Sequence, residues 1–167
     1  RVNWMVPENR LDDYQRDILK QCGDFNKKSE WIQGFAGSGK TVLLVHLIKE
    51  SLLKDPDKSI CVLVYTHALK DLIQSGLSSD SFVRVITKDK FLKEKGFYDL
   101  ILVDEVQDIP NSDLINIKAR ASKIVIAGDL DQSIYPGNCS KDEIKTLLLP
   151  REHSLIILYR LTQSLKN

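Results

Sequence analysis

An eight-residue glycine-rich segment, GFAGSGKT at residues 34–41, has the composition of a loop that binds phosphate groups. It matches the pattern G-x-x-x-x-G-K-S/T in full. Glycines let the successive backbone N–H groups of Gly37, Ser38 and Gly39 point at phosphate oxygens, and the helix that follows adds the positive end of its dipole. A chance match is the alternative. A strand before the loop and a helix after it favour phosphate binding.

Two side chains at the end of this loop extend the same chemistry. Lys40 would neutralise the β- and γ-phosphates of a nucleotide during phosphoryl transfer. The hydroxyl of Thr41 would be a ligand of Mg²⁺. The segment therefore predicts a site for a nucleoside triphosphate with magnesium.

A second segment, Leu100–Asp108 (LILVDEVQD), is an apolar run that ends in two adjacent carboxylates. Asp104 would hold magnesium through its hydration shell, as the acid at such a strand end does in phosphate-loop enzymes. Glu105 would orient or deprotonate the attacking water. The alternative is a solvated acidic turn after a buried strand. The phosphate loop upstream favours the catalytic interpretation.

A third segment, Ile124–Tyr135 (IVIAGDLDQSIY), is another apolar run that enters a polar turn. Gln132 would offer a donor and an acceptor beyond the carboxyl end of a strand, which is the edge where ligands of α/β proteins bind. An ordinary β-to-α turn formed by Gly128 and Asp129 is the alternative. The residues alone do not decide between the two.

The elements that position these segments are short apolar strands alternating with amphipathic helices. The predicted strands are Trp31–Ile32, Ile60–Tyr65, Phe82–Ile86, Leu100–Val103, Ile124–Ala127 and Leu155–Leu158. The predicted helices are Leu11–Cys22, Thr41–Leu53, His67–Ser75, Lys88–Lys95, Ser112–Ala121 and Lys141–Leu148. Continuous apolar runs suit strands buried on both faces of a parallel sheet. We therefore expect one α/β domain over residues 1–167, with three layers and a mainly parallel central sheet.

Composition limits the classes of protein that remain. The net charge of +1 excludes a protein that holds nucleic acid by bulk positive charge. No apolar run approaches the roughly 18 residues of a membrane span. The cysteines Cys22, Cys61 and Cys139 form no C-x-x-C pair, which favours a reducing, intracellular compartment, the cytoplasm. Because the chain does not begin with Met, we expect it to be a segment of a longer protein.

Taken together, AGSGKT, DEVQD and GDLDQSIY resemble the motifs of UvrD/Rep-like superfamily 1 helicases, and the resemblance covers nearly the whole chain. It implies the first RecA-like, ATP-binding domain of such a protein, with ATP and Mg²⁺ as cofactors. By the same resemblance Gln15 reads the adenine edge, although an exposed glutamine on an amphipathic helix is the alternative. Gln132 would couple the state of the γ-phosphate to contact with DNA.

The end of the chain carries a further likeness to the family. Tyr159 would stack on the adenine, and Arg160 would reach the γ-phosphate. Leu158 stands where the family has Asn, so the motif is incomplete. A solvated cation is the alternative for Arg160.

The resemblance also implies contacts with a single strand of nucleic acid. Tyr65 would stack on a base, while Thr66 and His67 would touch phosphate. The alternative, equally supported, is that Thr66 caps the following helix. Thr87 and Tyr135 are the other implied contacts, although the histidine usual near the first and the aromatic usual after the second are missing. The sequence does not separate a DNA track from an RNA track.

The resulting expectation is the motor domain of an ATP-dependent DNA helicase or single-strand translocase. Its partner would be a second RecA-like domain that supplies an arginine finger, worth about 10³–10⁵ in rate. The chain alone is therefore expected to bind Mg·ATP and to turn it over weakly. A nucleotide-dependent regulatory switch is the alternative, and Glu105 favours turnover over that role. No N-K-x-D guanine reader is present, which argues against a GTPase.

Overall fold

The computed structural model of the chain describes residues 13–23, 25–26, 28–34, 39–77, 83–129 and 137–155. These residues form six strands: β1 Glu30–Gln33, β2 Ile60–Val64, β3 Arg84–Thr87, β4 Tyr98–Val103, β5 Ala121–Ala127 and β6 Arg151–Ser154. They also form six α-helices: α1 Asp13–Cys22, α2 Lys40–Lys54, α3 His67–Ser75, α4 Lys88–Lys93, α5 Asn111–Ala119 and α6 Lys141–Leu148. Among these described residues, no helix has the length and apolar character needed to cross a bilayer.

The strands form one parallel sheet in the order β3-β2-β4-β5-β1-β6. Successive side chains of each strand point to opposite faces, so each strand contributes to two cores. In β2, Val62 packs with α1, α2 and α3, whereas Cys61 and Leu63 pack with α4, α5 and α6. The predicted three-layer α/β fold is thus confirmed, and the apolar runs are continuous because both faces of the sheet are covered.

The strand order brings three chain segments to one edge of the sheet. β5 lies between β1 and β4, so the carboxyl ends of these three strands are neighbours. The phosphate-loop segment follows β1, the acidic pair follows β4, and Gly128 follows β5. Backbone bonds extend the ladder past the strands, from Gly128 N–H to Ile32 O and from Asp104 N–H to Leu63 O. The candidate site therefore lies at the carboxyl edge, as expected for a ligand of a parallel sheet.

The last strand is placed wrongly by the sequence. The prediction put it at Leu155–Leu158, but the strand that pairs with β1 is β6 at Arg151–Ser154. Leu155 only extends its hydrogen bonding, by donating from its N–H to Gln33 O. Residues 156–158 lie outside the described part of the chain. An apolar run does not mark this strand, since its sequence is REHS.

Glu30, the first residue of β1, provides buried contacts for the polar side chains of the edge strand β6. It is fully buried, and Arg151 Nε donates to one of its oxygens at 2.6 Å while Arg151 Nη2 donates to the other at 2.8 Å. His153 Nε2 lies 3.3 Å from the same carboxylate, and Lys123 Nζ lies 3.9 Å from it. Burial alone would raise the pKa of Glu30, but these hydrogen bonds and positive charges outweigh it and hold the pKa below its ordinary value.

Cys22 completes a buried group of ligand-type side chains at this place. Its sulfur and one ligand atom each of Glu30 and His153 all lie within 4.8 Å of one another. The charges of Arg151 and Lys123 already neutralise Glu30, so they oppose a cation here. We therefore interpret the group as the internal anchor of β6.

Candidate functional site

The phosphate-loop segment begins directly after β1 and ends in the first turn of α2. Gly39 has φ +93°, a left-handed conformation that favours glycine, and its carbonyl accepts the first helical bond from Leu43 N–H. A Cβ at this position would lie 3.2 Å from Gln15 Nε2. The structure thus brings Gln15 of α1 to the end of the loop. Gly37 and Ser38 lie outside the described residues.

Lys40 faces into the site rather than into solvent. It is 6% exposed, and its ammonium donates to the carbonyl of Gly34, so it spans the two ends of the loop. An ammonium has three donors, which leaves capacity for phosphate oxygens. Its positive charge also acts on Asp104, where it lowers the carboxyl pKa. Lys40 and Asp104, 64 positions apart in sequence, therefore belong to one site.

Asp104 is the most perturbed carboxyl group of this edge. It is 2% exposed, and burial together with the neighbouring Glu105 charge raises its pKa to about 6, against the lowering effects of the Glu105 N–H, Lys40 and the Thr41 hydroxyl. Its Oδ1 accepts from Glu105 N–H at 2.9 Å. Its Oδ2 is buried and has no hydrogen-bond partner among the described residues. A buried carboxylate oxygen beside a threonine hydroxyl fits Mg²⁺, which binds oxygen ligands and keeps several waters.

Glu105 lies in an unusual backbone conformation. Its φ of 56° and ψ of 50° place it in the left-handed region, where any residue other than glycine is strained by about 1–3 kcal/mol. The chain then forms a single 3₁₀ turn, Val106–Asp108. Within this turn, Gln107 Nε2 donates to Glu105 Oε2. Burial, followed by the charge of Glu105, raises the pKa of Asp108.

The end of β5 packs against this turn. Gly128 has φ +149°, its N–H donates to Ile32 O, and its carbonyl accepts from Trp31 Nε1 at 3.2 Å. A Cβ on Gly128 would fall 2.2 Å from Gln107 Oε1 and 2.9 Å from the backbone nitrogen of Val106, so the position favours glycine. Asp129, next in the chain, is buried.

Four other predicted site residues lie outside the described residues. Gln132 and Tyr135 lie in residues 130–136, and Tyr159 and Arg160 in residues 156–167. The sequence interpretation overlooked Gln107 and used Gly128 only as a turn residue. The glutamine of the DEVQD segment was the available indication, but its contact with Gly128 depends on the fold.

The candidate nucleic-acid residues lie at the same edge of the sheet, on the side of β2 and β3. Val64 and Thr87 are partners in the ladder, so Tyr65 and Thr66 directly follow a residue paired with Thr87. Tyr65 is 56% exposed, and His67 is also exposed.

Both threonines of this group cap the N-terminus of a helix. Thr66 Oγ1 accepts from Leu69 N–H at 3.2 Å at the start of α3. Thr87 Oγ1 accepts from Lys90 N–H at 3.4 Å at the start of α4. The capping role considered for Thr66 is therefore present, and contact with nucleic acid remains a prediction.

Comparison with protein families gives one match that covers most of the chain. A family described as an AAA domain matches residues 15–138, which include the phosphate loop, the acidic pair and the segment after β5. None of the curated proteins matches the chain in sequence.

Solved structures of low sequence identity share the fold. The SWI2/SNF2 ATPase core of Sulfolobus solfataricus, solved in complex with dsDNA, has a TM-score of 0.62 at 12% identity, covering 87% of this chain and 44% of that one. The Pif1 helicase of Candida albicans has a TM-score of 0.56 at 20% identity, covering 90% and 40%. Domain III of the Thermotoga maritima replication initiation protein DnaA has a TM-score of 0.53 at 19% identity, covering 92% and 65%. The chain thus spans less than two thirds of each of these chains, and its fold is that of phosphate-loop, helicase-type domains.

Proposed function

Because this chain belongs to the AAA-domain family, we propose that it is the ATP-binding and hydrolysing motor domain of a UvrD/Rep-like DNA helicase or single-strand translocase. The proposal rests on one observation: Lys40, Thr41 and Asp104 lie close together at the carboxyl ends of β1 and β4. The three come from two segments whose sequences match phosphate-loop and acidic-pair motifs.

Each side chain has a distinct role in this proposal. Lys40 binds the β- and γ-phosphates and compensates their negative charge. Thr41 and Asp104 hold Mg²⁺, which when bound neutralises charge that develops on the phosphate oxygens. Glu105 aligns the attacking water and accepts its proton. Gln15, beside the end of the loop, reads the adenine edge.

A track for nucleic acid next to this site is supported by the sheet order. β2 is the neighbour of β4, and Asp104 N–H donates to Leu63 O of β2 at 3.1 Å. Tyr65 and Thr66 follow that strand, so a base stacked on Tyr65 would lie one strand away from the acidic pair. Stacking on an exposed aromatic contributes about 1–3 kcal/mol per base and tolerates any sequence. Similar structures include a Pif1 helicase and a SWI2/SNF2 core bound to dsDNA.

Release of phosphate from Mg·ATP tests the proposal, measured with and without oligo-dT and, in parallel, with oligo-rU. We expect weak turnover that rises with oligo-dT and is lost in Lys40→Ala. Lys49→Ala is the matched control, since Lys49 lies on the exposed side of the same helix. Turnover that Lys40→Ala leaves intact would refute the assignment of the site, and turnover indifferent to both polynucleotides would refute the track.

A further inference from the structure

The contact between Gln107 and Glu105 has no part in the roles assigned so far. Gln107 is 6% exposed, although glutamine is mostly an exposed residue type. Its Nε2 donates to Glu105 Oε2. The ionised carboxylate of Glu105 only accepts hydrogen bonds, so the amide must present its nitrogen to Glu105. The amide oxygen is thereby turned toward Gly128.

Gly128 fixes the other side of this amide. A Cβ on Gly128 would lie 2.2 Å from Gln107 Oε1. The amide oxygen therefore occupies the space that a side chain at position 128 would need. Gly128 is itself bonded to β1 through Ile32 O and the Trp31 indole. Gln107 therefore lies between Glu105, which follows β4, and Gly128, which follows β5 and is bonded to β1.

We propose that Gln107 is a positioning residue for ATP hydrolysis, which holds the Glu105 carboxylate in the orientation that aligns the attacking water. This inference rests on the proposed function. One carboxylate oxygen, Oε2, is engaged by the amide, and the other remains for the water. A hydrogen bond to a charged acceptor is stronger and more directional than one between neutral groups, so it restricts the rotation of the carboxylate. Gln107 acts through Glu105, and Gly128, which has no side chain, leaves the space that the Gln107 amide oxygen occupies.

Two substitutions of nearly the same size separate positioning from packing. Gln107→Met keeps the length of the side chain and removes the donor, whereas Gln107→Glu keeps the shape and places a second carboxylate against Glu105. We expect the single-turnover rate of phosphate release to fall about 10- to 100-fold in Gln107→Met, and further in Gln107→Glu. The dissociation constant of Mg·ATP should stay within about twofold in Gln107→Met, since this change touches neither the phosphate loop nor the charge of the site. Gln74→Met on the exposed side of α3 is the control and should leave both values unchanged.

A double-mutant cycle tests whether Gln107 acts through Glu105. In a Glu105→Gln background, where the carboxylate is already lost, Gln107→Met should cause no further fall in the rate. An equal fall in both backgrounds would overturn the inference, because the amide would then act elsewhere. So would a Gln107→Met variant with the rate of the wild type.

A measurement without turnover tests the contact itself. The side-chain amide of Gln107 gives a ¹⁵N–¹H signal. This signal is assigned as the one that disappears in Gln107→Met. Glu105→Ala should shift this signal and leave that of Gln74 in place, and an unshifted signal would refute the contact. Absence of hydrolysis by the wild type would refute the proposed function and the role of Gln107 together. Hydrolysis that is normal in Gln107→Met would refute only the latter.

Discussion

Replacement of Glu30 by Gln should lower the free energy of unfolding by about 3–5 kcal/mol. The amide has the same size, but it removes the negative charge that neutralises Arg151 and Lys123. Glu30 is fully buried and the side chain of Lys123 is 1% exposed, so solvent compensates little for the charge left on Lys123, whereas Arg151 is 37% exposed and regains some hydration. Native domains are stabilised by only about 5–15 kcal/mol, so the change is a large part of the total.

Urea unfolding at neutral pH, followed by tryptophan fluorescence, to which the buried Trp31 contributes, measures this difference. Glu152→Gln, on the neighbouring strand β6, is the matched control. Its carboxylate is 43% exposed and accepts from Gln33 Nε2 at 2.7 Å, so its loss should cost less than about 1 kcal/mol. If the two variants unfold within about 1 kcal/mol of each other, the idea that Glu30 anchors β6 is refuted.

The same comparison has a predicted pH dependence. The pKa of Glu30 lies below its ordinary value of 4.5 in the folded protein, so the unfolded chain binds the proton more readily. The contribution of Glu30 is therefore fully present above about pH 4.5 and is lost as the pH falls through the lower folded value. The difference between the wild type and Glu30→Gln should shrink in that acidic range, and a difference that instead grows toward low pH would contradict the assigned sign.

Three further outcomes follow from the described contacts. Gly128→Ala should lower the free energy of unfolding by at least about 2 kcal/mol, because its Cβ meets the backbone nitrogen of Val106 as well as Gln107 and the backbone has φ +149°. Gly137→Ala, with φ +94° and nothing within 4 Å, should cost only the backbone strain of about 1–2 kcal/mol, and urea unfolding compares the two variants. Asp104→Asn in metal-free buffer should raise the free energy of unfolding by about 3 kcal/mol above pH 6, because ionising a carboxyl whose pKa is raised to about 6 opposes folding. The wild type should lose this stability as the pH rises from about 4 to about 6, and thermal scans of both proteins across that range would show it. Thr66→Ala should cost α3 about 1 kcal/mol and Thr66→Ser much less, since only the serine keeps the oxygen that caps the helix; equal melting temperatures would contradict this.

The central strands were predictable because burial on both faces leaves a continuous apolar run. The predicted run Ile60–Tyr65 and the observed β2, Ile60–Val64, differ by one residue. β6 was not predictable in this way. Its Arg151 and His153 face Glu30 on β1, and the pairing of Arg151 with Glu30 joins two strands that are 121 positions apart in sequence. Periodicity within one segment cannot show a partner that far away.

In the candidate site, too, local features were predictable and contacts between distant segments were not. The segment at residues 34–41 is a local motif, so its position between β1 and the first turn of α2 was predictable, and the parallel order of β1 and β4 then brings Thr41 to Asp104. The contact between Gln107 and Gly128 was not predictable, because it depends on the left-handed backbone of Glu105 and on β5 lying beside β4.

Calorimetric titration of ATP into the nucleotide-free chain, with Mg²⁺ and with a chelator, tests most directly whether Lys40, Thr41 and Asp104 form one Mg·ATP site. The wild type should bind ATP more tightly with Mg²⁺ than without it. Asp104→Asn should remove that difference, and Lys40→Ala should weaken binding under both conditions. If Asp104→Asn keeps the full magnesium dependence of the wild type, the proposed site is wrong.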